Sequence, residues 1–352
     1  VEVIRLPLSS LGKKTMAHRL VGQSLFLLQT IVRGLFTPRL AGILVSTSPP
    51  MASIAALVIR LFSRPHIKFW VMDLNPDQLV ETGRITESSL PARVFNALNR
   101  MILRAADDVV ALDRFMAERL LKKVDVKEKI HIQPPWPHSD HLETVDHAEN
   151  PFRKEHGLEG KFVVMYSGNH GKTTPVTTVL DAAVRMQDRE KLVFMFIGGG
   201  VGKRDVEATI AEHNPTNIIN LPYQPLDRIK YSLSAADVHL VTMEDCVVGV
   251  IHPCKIYGAM EIGRPILSVG PEEYHVSDVM QGRDIGWHVP HGDVDQLVET
   301  LDMILALPQE KLTEMGQRAA KIVEEKYQQE AMIEEFTDIM VRNVPGPNSK
   351  SK

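Results

Sequence analysis

Two cysteines in 352 residues, Cys246 and Cys254, leave nothing from which a disulfide framework or a paired CxxC knuckle could be built. A reducing compartment, the cytoplasm, is therefore expected. Also missing is any run of about eighteen uninterrupted apolar residues, the length a spanning helix requires, because Gln29, Arg33 and Arg60 break the best candidates. The chain is not expected to cross a membrane. Neither an initiator Met nor a signal peptide precedes the opening VEVIRLPL, which reads as a strand and loop, so the chain is expected to begin within a domain. Acid is nearly absent from residues 1–72, where Glu2 faces nine basic residues: Arg5, Lys13, Lys14, Arg19, Arg33, Arg39, Arg60, Arg64 and Lys68. Basic residues set among Leu, Ile and Phe suit either a solvated basic face or contact with an anionic membrane surface. No nucleic-acid partner is expected.

What is present is an ordinary globular composition, 44% hydrophobic and 24% charged, over a length that suggests two domains. Short apolar runs alternate with helical patterns throughout, which predicts parallel sheets with helices on their faces. In the first half the strands expected are Gly42–Ser46, Ile67–Met72, Asp108–Leu112 and Lys129–Ile132. Helices are expected over Ala17–Phe36, Met51–Phe62, Arg93–Arg104 and Arg114–Lys123, the last opening on an Asp113 cap. Pro134-Pro135-Trp136-Pro137 then opens a stretch rich in Pro, His and acids, the composition of a linker, so the first domain is placed at 1–150. The pattern restarts in a second domain at 151–325, with strands Phe162–Tyr166, Leu192–Ile197, Ile218–Leu221, Val238–Val241 and Pro265–Val269. Residues 326–352 hold a last helix and a tail, NVPGPNSKSK, disordered by composition.

Candidate chemistry gathers where strands end. Ser167–Thr174 follows a buried strand, and Gly171-Lys172-Thr173 invites comparison with a phosphate-binding P-loop. That pattern needs a glycine where Tyr166 stands, so the motif fails. Gly168, Asn169 and Gly171 with Lys172 still form a loop able to meet an anion. Gly198-Gly199-Gly200 closes another strand with Lys203 just beyond; it is not GxGxxG, and close backbone approach to a ligand is the functional reading. A third strand–loop–helix–strand unit, Ala235–Gly270, sets Lys255 in the first turn of a helix entered near Pro253, a natural place for phosphate. Asp293-Val294-Asp295 has the spacing of a metal-binding DxD but stands ahead of a helix, where aspartate is a cap. His252 and Cys254 lack the further ligands of a complete site, and no metal is expected.

In order and spacing, VSTSPP (45–50), DLNP (73–76), ADDVVALDRFMAERL (106–120), FVVMYSGNHG (162–171), FIGGG (196–200), LPYQP (221–225), LSAADVHLV (233–241) and HPCKIYGAMEIGRPIL (252–267) resemble retaining GT-B glycosyltransferases of family four, especially the branch that builds bacterial surface polysaccharides. The resemblance implies an α/β GT-B fold, two Rossmann-like domains facing a cleft, the first on the acceptor side and the second holding a nucleoside-diphosphate sugar. It implies transfer with retention to a glycan or lipid-linked acceptor, without metal or other cofactor, at the inner membrane face. Carried onto this chain, it makes Asp73, Lys172 and Lys255 the catalytic candidates. The donor-binding candidates are Gly168, Asn169, Gly171, Gly198, Gly199, Gly200, Lys203, Pro253, Tyr257, Gly258 and Glu261. The C-terminal helix through Phe336 is expected to return to the first domain. Two departures stand out. The family's paired glutamates fall at Val250 and Gly258, with Glu261 one turn further on, and the family's first strand and glycine-rich loop have no counterpart before Val1. The alternative reading is an inactive GT-B scaffold that binds a nucleotide sugar or a protein partner.

Overall fold

The structure is a computed structural model that describes residues 3–7, 16–49, 51–136 and 142–344. The chain divides into two units, one comprising Val1–Pro134, Gly249–His252 and Ile333–Lys352, the other Pro135–Val248 and Pro253–Met332. The first contains α1 (Met16–Leu35), β1 (Gly42–Ser46), α2 (Ala52–Ser63), β2 (His66–Trp70), α3 (Asp77–Glu81), α4 (Leu90–Ala105), β3 (Asp108–Ala111), α5 (Arg114–Lys123) and β4 (Ile130–Ile132). Its sheet runs β1-β2-β3-β4, all parallel. Every residue of β3 is buried, as a parallel strand covered on both faces must be. Asp113 caps α5 as expected, accepting from the Met116 amide at 2.8 Å.

The second unit contains α6 (Pro151–Glu155), β5 (Phe162–Asn169), α7 (Thr177–Arg185), β6 (Leu192–Gly199), α8 (Lys203–His213), β7 (Ile218–Leu221), α9 (Ile229–Ser234), β8 (Val238–Thr242), α10 (Lys255–Glu261), β9 (Ile266–Gly270), α11 (His275–Met280), β10 (Gly286–Pro290), α12 (Val294–Leu305) and α13 (Gln309–Lys326). The final helix, α14 (Gln329–Val341), passes into residues of the first unit at Ile333. The sheet order is β10-β9-β8-β5-β6-β7, again all parallel. Numbered within the unit this is the doubly wound Rossmann order, and its reversal of direction falls between β5 and β8. Val164, Tyr166, Phe194, Phe196, Val238, Leu240 and Leu267 fill the core under α7 and α12. Asp293 is a cap, accepting from the Gln296 amide at 2.9 Å.

Three expectations change. Val3–Leu6 is without regular structure rather than a strand; its β-branched residues match the pattern, but no described strand pairs with it. β10 and the short helices α3, α6, α9 and α11 have no counterpart among the expectations, because GWHVP is bounded by Gly and Pro and five or six residues are too few to show a helical period. Leu142–Asn150 is bound to the second unit: Thr144 Oγ1 donates to the Ile262 carbonyl at 3.1 Å, the Val145 amide to Ser234 Oγ at 2.9 Å, and Asn150 Nδ2 to the Tyr231 carbonyl at 2.8 Å. Residues 137–141 and all of the tail beyond Val344 lie outside the described residues.

Within the first unit, Phe336 packs on Trp70 with ring centroids 4.7 Å apart. Beneath it lies a buried polar group: Lys68 Nζ donates to Asp108 Oδ2 and, at 2.6 Å, to the Arg342 carbonyl, while His131 Nε2 stands 2.8 Å from Asp108 Oδ1. Desolvation raises the Asp108 carboxyl, but the bonds from Lys68 and His131 outweigh it and hold the group below its ordinary value. Removing one partner of such a pair leaves a charge stranded in the interior. Lys68→Met is expected to cost about 3 kcal/mol in the urea unfolding of the first unit, with most of it recovered in Lys68→Met/Asp108→Leu.

Candidate functional site

Open parallel sheets bind ligands beyond the carboxyl ends of their strands where the strand order reverses. In the second unit that point is the end of β5, flanked by β8 on one side and β6 on the other. β5 and β6 pair to their last residues, Gly168 opposite Gly198 and Asn169 opposite Gly199. Both Gly168 and Gly198 have left-handed φ, +137° and +133°. A Cβ on Gly198 would stand 1.9 Å from the Gly168 carbonyl oxygen, so only glycine lets the two backbones meet there. The strands therefore end in bare backbone.

Lys255, the first residue of α10, lies across this floor. Its Nζ donates to the Tyr166 hydroxyl and, at 3.1 Å, to the Asn169 carbonyl, and stands 4.1 Å from the Tyr166 ring centroid. Its Cε occupies the space a Cβ on Gly168 would need, 2.5 Å away. Burial pushes the ammonium down to about 7. The α10 helix has only seven residues, so its dipole is small and the side chain, rather than the helix end anticipated from sequence, supplies the charge.

Around Lys255 the polar groups are cations, hydroxyls and carbonyls. His170 is buried, with Nδ1 3.1 Å from the Gly168 carbonyl oxygen; burial, then Lys203 and Lys255, push it down to about 4, so the ring is neutral. Its Nε2 has no hydrogen-bond partner. The His170 amide donates to the Gly199 carbonyl at 2.8 Å, and Gly202 donates to the His170 carbonyl at 2.9 Å, which locks the two glycine loops together. Lys203 is spent on structure: its Nζ donates to the Gly198 carbonyl at 2.6 Å and to the Leu221 carbonyl, closing the ends of β6 and β7. Burial lowers its ammonium below the ordinary value. The acid nearby, Glu244, faces His291 at 3.9 Å while its amide holds the Thr173 carbonyl at 3.0 Å.

The structure brings together Gly168, Asn169, Gly198, Gly199, Gly200, Lys203 and Lys255 of the sequence-derived set. Asn169 Oδ1 packs over Gly200, 2.6 Å from where its Cβ would be. Gly171 sits in the turn that follows, its amide donating to Thr174 Oγ1 at 3.0 Å, and Lys172 is exposed on that turn. Pro253 is half-buried just before α10, as are Gly258 and Glu261 within it. Tyr257 faces inward, its hydroxyl 2.8 Å from His275 Nε2. Asp73 belongs to the first unit, in the turn after β2, where Thr47 Oγ1 accepts from the Met72 and Asp73 amides at 3.1 Å. Desolvation by surrounding protein raises its carboxyl although the residue itself is exposed. Sequence reasoning passed over Tyr166, His170 and Tyr223. Tyr166 reads as one more core aromatic in FVVMYSGN, and Tyr223, whose hydroxyl donates to the Gly199 carbonyl at 3.3 Å, as a turn residue.

A concavity of about 560 Å³ also opens at the opposite end of β5, lined by His147, Arg153, Lys161, Lys191 and Asp237. Its one buried cation, Arg153, is consumed by the carbonyls of Ala235, Leu158 and Lys161, so the carboxyl-end cluster is the stronger site.

Residues 148–322 match the family model described as glycosyl transferases group 1. A probable glycosyltransferase of Pseudomonas aeruginosa, WbjE, is 27% identical over 270 residues, 76% of this chain and 66% of that protein. The putative colanic acid biosynthesis glycosyl transferase WcaI of Escherichia coli strain K12 is 27% identical over 174 residues, 49% of this chain and 42% of that protein. The chain thus spans just under two thirds of the one relative and under half of the other. Among solved structures, sucrose-phosphate synthase from Thermosynechococcus elongatus superposes with a TM-score of 0.76 at 15% identity, covering 96% of this chain and 82% of that one. Anabaena Alr3699/HepE in complex with UDP gives 0.72 at 12% identity, covering 92% and 84%. At such identities these structures speak for the fold alone, which is GT-B.

Gly198→Ala tests the backbone contact on which the cluster stands. It should destabilise the second unit by about 3 kcal/mol or more, read as a lowered thermal midpoint, whereas Gly160→Ala, with positive φ but open space around it, should cost about 1 kcal/mol.

Proposed function

The chain belongs to the glycosyl transferases group 1 family through residues 148–322, and on that premise we propose that it moves a sugar from a nucleoside diphosphate to a glycan or lipid-linked acceptor with retention. The observation that carries this reading is the Lys255 ammonium lying over bare glycine backbone at the strand-order reversal, held by a phenol and a carbonyl. As the bond from sugar to diphosphate breaks, negative charge grows on the leaving phosphate. A cation fixed beforehand in a site of low polarity stabilises that charge more than it stabilises the bound donor. Lys255 supplies it, with exposed Lys172 as the second cation, and transfer is proposed to need no divalent metal. The glycine ends of β5 and β6 let the diphosphate approach the backbone closely. Asp73, with its raised carboxyl, is assigned to the acceptor side. The name of the Escherichia coli relative, a putative colanic acid biosynthesis glycosyl transferase, supports polysaccharide assembly as the setting.

Lys255→Ala is expected to weaken nucleoside-diphosphate binding by about 1.5–3 kcal/mol, the range for a hydrogen bond to a charged group. Isothermal titration with UDP and GDP measures it; equal affinity in a folded variant would remove Lys255 from the site. The pH dependence has a definite sign. Lys255 is charged below about 7 and neutral above it, so the free protein must take up a proton to bind a diphosphate at higher pH. Affinity should fall between pH 7 and 9 and stay flat in Lys255→Ala. Over that range His170, at about 4, and Tyr166, at about 12, do not titrate. Asp73→Asn should leave binding intact while transfer, followed by product NMR that also reads the anomeric configuration, is lost.

A membrane-surface acceptor fits the first unit. Leu28, Val32 and Phe36 at the end of α1 and Leu61 and Phe62 at the end of α2 are exposed, and residues 16–72 contain six Lys/Arg and no Asp or Glu. No described helix is long and apolar enough to cross a membrane. Arg60 is paired with Asp107 and Lys68 is buried against Asp108, so among the described side chains Arg33, Arg39 and Arg64 are the cations left to accompany this apolar surface at an anionic bilayer. Flotation with phosphatidylglycerol-containing liposomes should capture the chain, and Phe36→Ser/Phe62→Ser should release it; equal capture by neutral vesicles would count against the charge component.

A further inference from the structure

We propose that Tyr166 is the positioning residue of this site, its hydroxyl holding the Lys255 ammonium in place for a diphosphate; this rests on the reading of the β5 end as the donor site. Tyr166 is fully buried in β5, its hydroxyl following the apolar run Phe162–Met165. That oxygen accepts from Lys255 Nζ and donates to the Asn169 carbonyl at 2.7 Å, while Nζ donates to the same carbonyl at 3.1 Å. The three groups close a triangle. Thr174 Oγ1 donates to that carbonyl as well, at 3.2 Å, and accepts from the Gly171 amide, so the triangle is tied to the turn that carries Lys172. The ammonium stands 4.1 Å from the Tyr166 ring centroid, and the missing Cβ of Gly168 is what lets the lysine stem pass.

This arrangement does two things that a carboxylate partner would not do together. It fixes a flexible four-carbon stem, so little rotamer entropy remains to be lost when the anion arrives. It also leaves the charge unneutralised. A lysine ammonium has three donors. Two are engaged, by the phenol and the carbonyl, and the third is left for a phosphate oxygen without any existing bond having to break. A hydrogen bond from the charged form further opposes the discharge that burial favours, with Cys254, Lys203 and neutral His170 as the other titratable neighbours on the elements packed here.

Tyr166→Phe keeps the ring and removes only the oxygen. Using the full chain and whichever of UDP or GDP the wild type binds, the variant should lose about five- to tenfold in affinity. The bare nucleoside should bind as before, and the fall of affinity with pH should begin at lower pH. In a Lys255→Met background the same change should cost nothing more. Unchanged diphosphate affinity, equal loss for nucleoside and diphosphate, or the same loss in the Lys255→Met background would each overturn the proposal. If the wild type binds neither diphosphate, it is the donor-site reading that fails. A measurement on the unliganded wild type stands independently of how the variant folds: methylene relaxation of 13C-labelled lysine should show Cε of Lys255 far more ordered than Cε of exposed Lys172, and equal mobility would overturn the positioning role.

Discussion

Everything in the candidate site depends on two strands running side by side until glycine meets glycine at Gly168 and Gly198. Because Gly168 and Gly198 carry no Cβ, the backbones of β5 and β6 stay paired to the last residue and the loops beyond them interlock through His170, Gly199 and Gly202. At Gly168 and Gly198 the floor so formed is bare backbone. It is the stem of a lysine from a different loop that furnishes it, and the same bare position admits that stem. Substituting either glycine would strike the sheet and the site together.

The second unit also shows how positive charge is kept in a partly buried place. Lys203 gives two of its three donors to the carbonyls that end β6 and β7 and serves as a brace. Lys255 is held by groups that orient it without cancelling it, and burial brings its ammonium close to discharge. His170, between them, responds by staying neutral. Desolvating a lysine with no acid as counterion is costly, and sites that keep such groups use them.

Much of this was legible in the sequence. Continuous apolar runs ending in SGN or GGG announce buried parallel strands with backbone exposed at their ends, and Asp113 and Asp293 sit where caps belong, so the strand–loop–helix alternation reads directly. The position of Lys255 was legible because α10 follows a strand and Pro253. What sequence does not carry is the pairing of distant atoms. Nothing in FVVMYSGN distinguishes a core tyrosine from one whose hydroxyl meets a lysine 89 residues away. Lys203 looked free for a ligand because the Leu221 carbonyl that occupies it belongs to another strand. Val3–Leu6 has the composition of a strand, but a strand exists only where a partner offers its edge.

The separation between Tyr166 and Lys255 also bears on when the site comes into being. β5 and β6 are joined by nearby sequence, whereas the pairing of β5 with β8 and the contact of Tyr166 with Lys255 span far longer stretches of chain. Long-range parallel pairings of this kind meet the entropy of loop closure late in folding. A nascent or partly unfolded chain would thus display the glycine loops without the cation. A ligand that needs both, as the proposed donor does, would bind only the finished unit and by mass action draw the folding equilibrium towards completion.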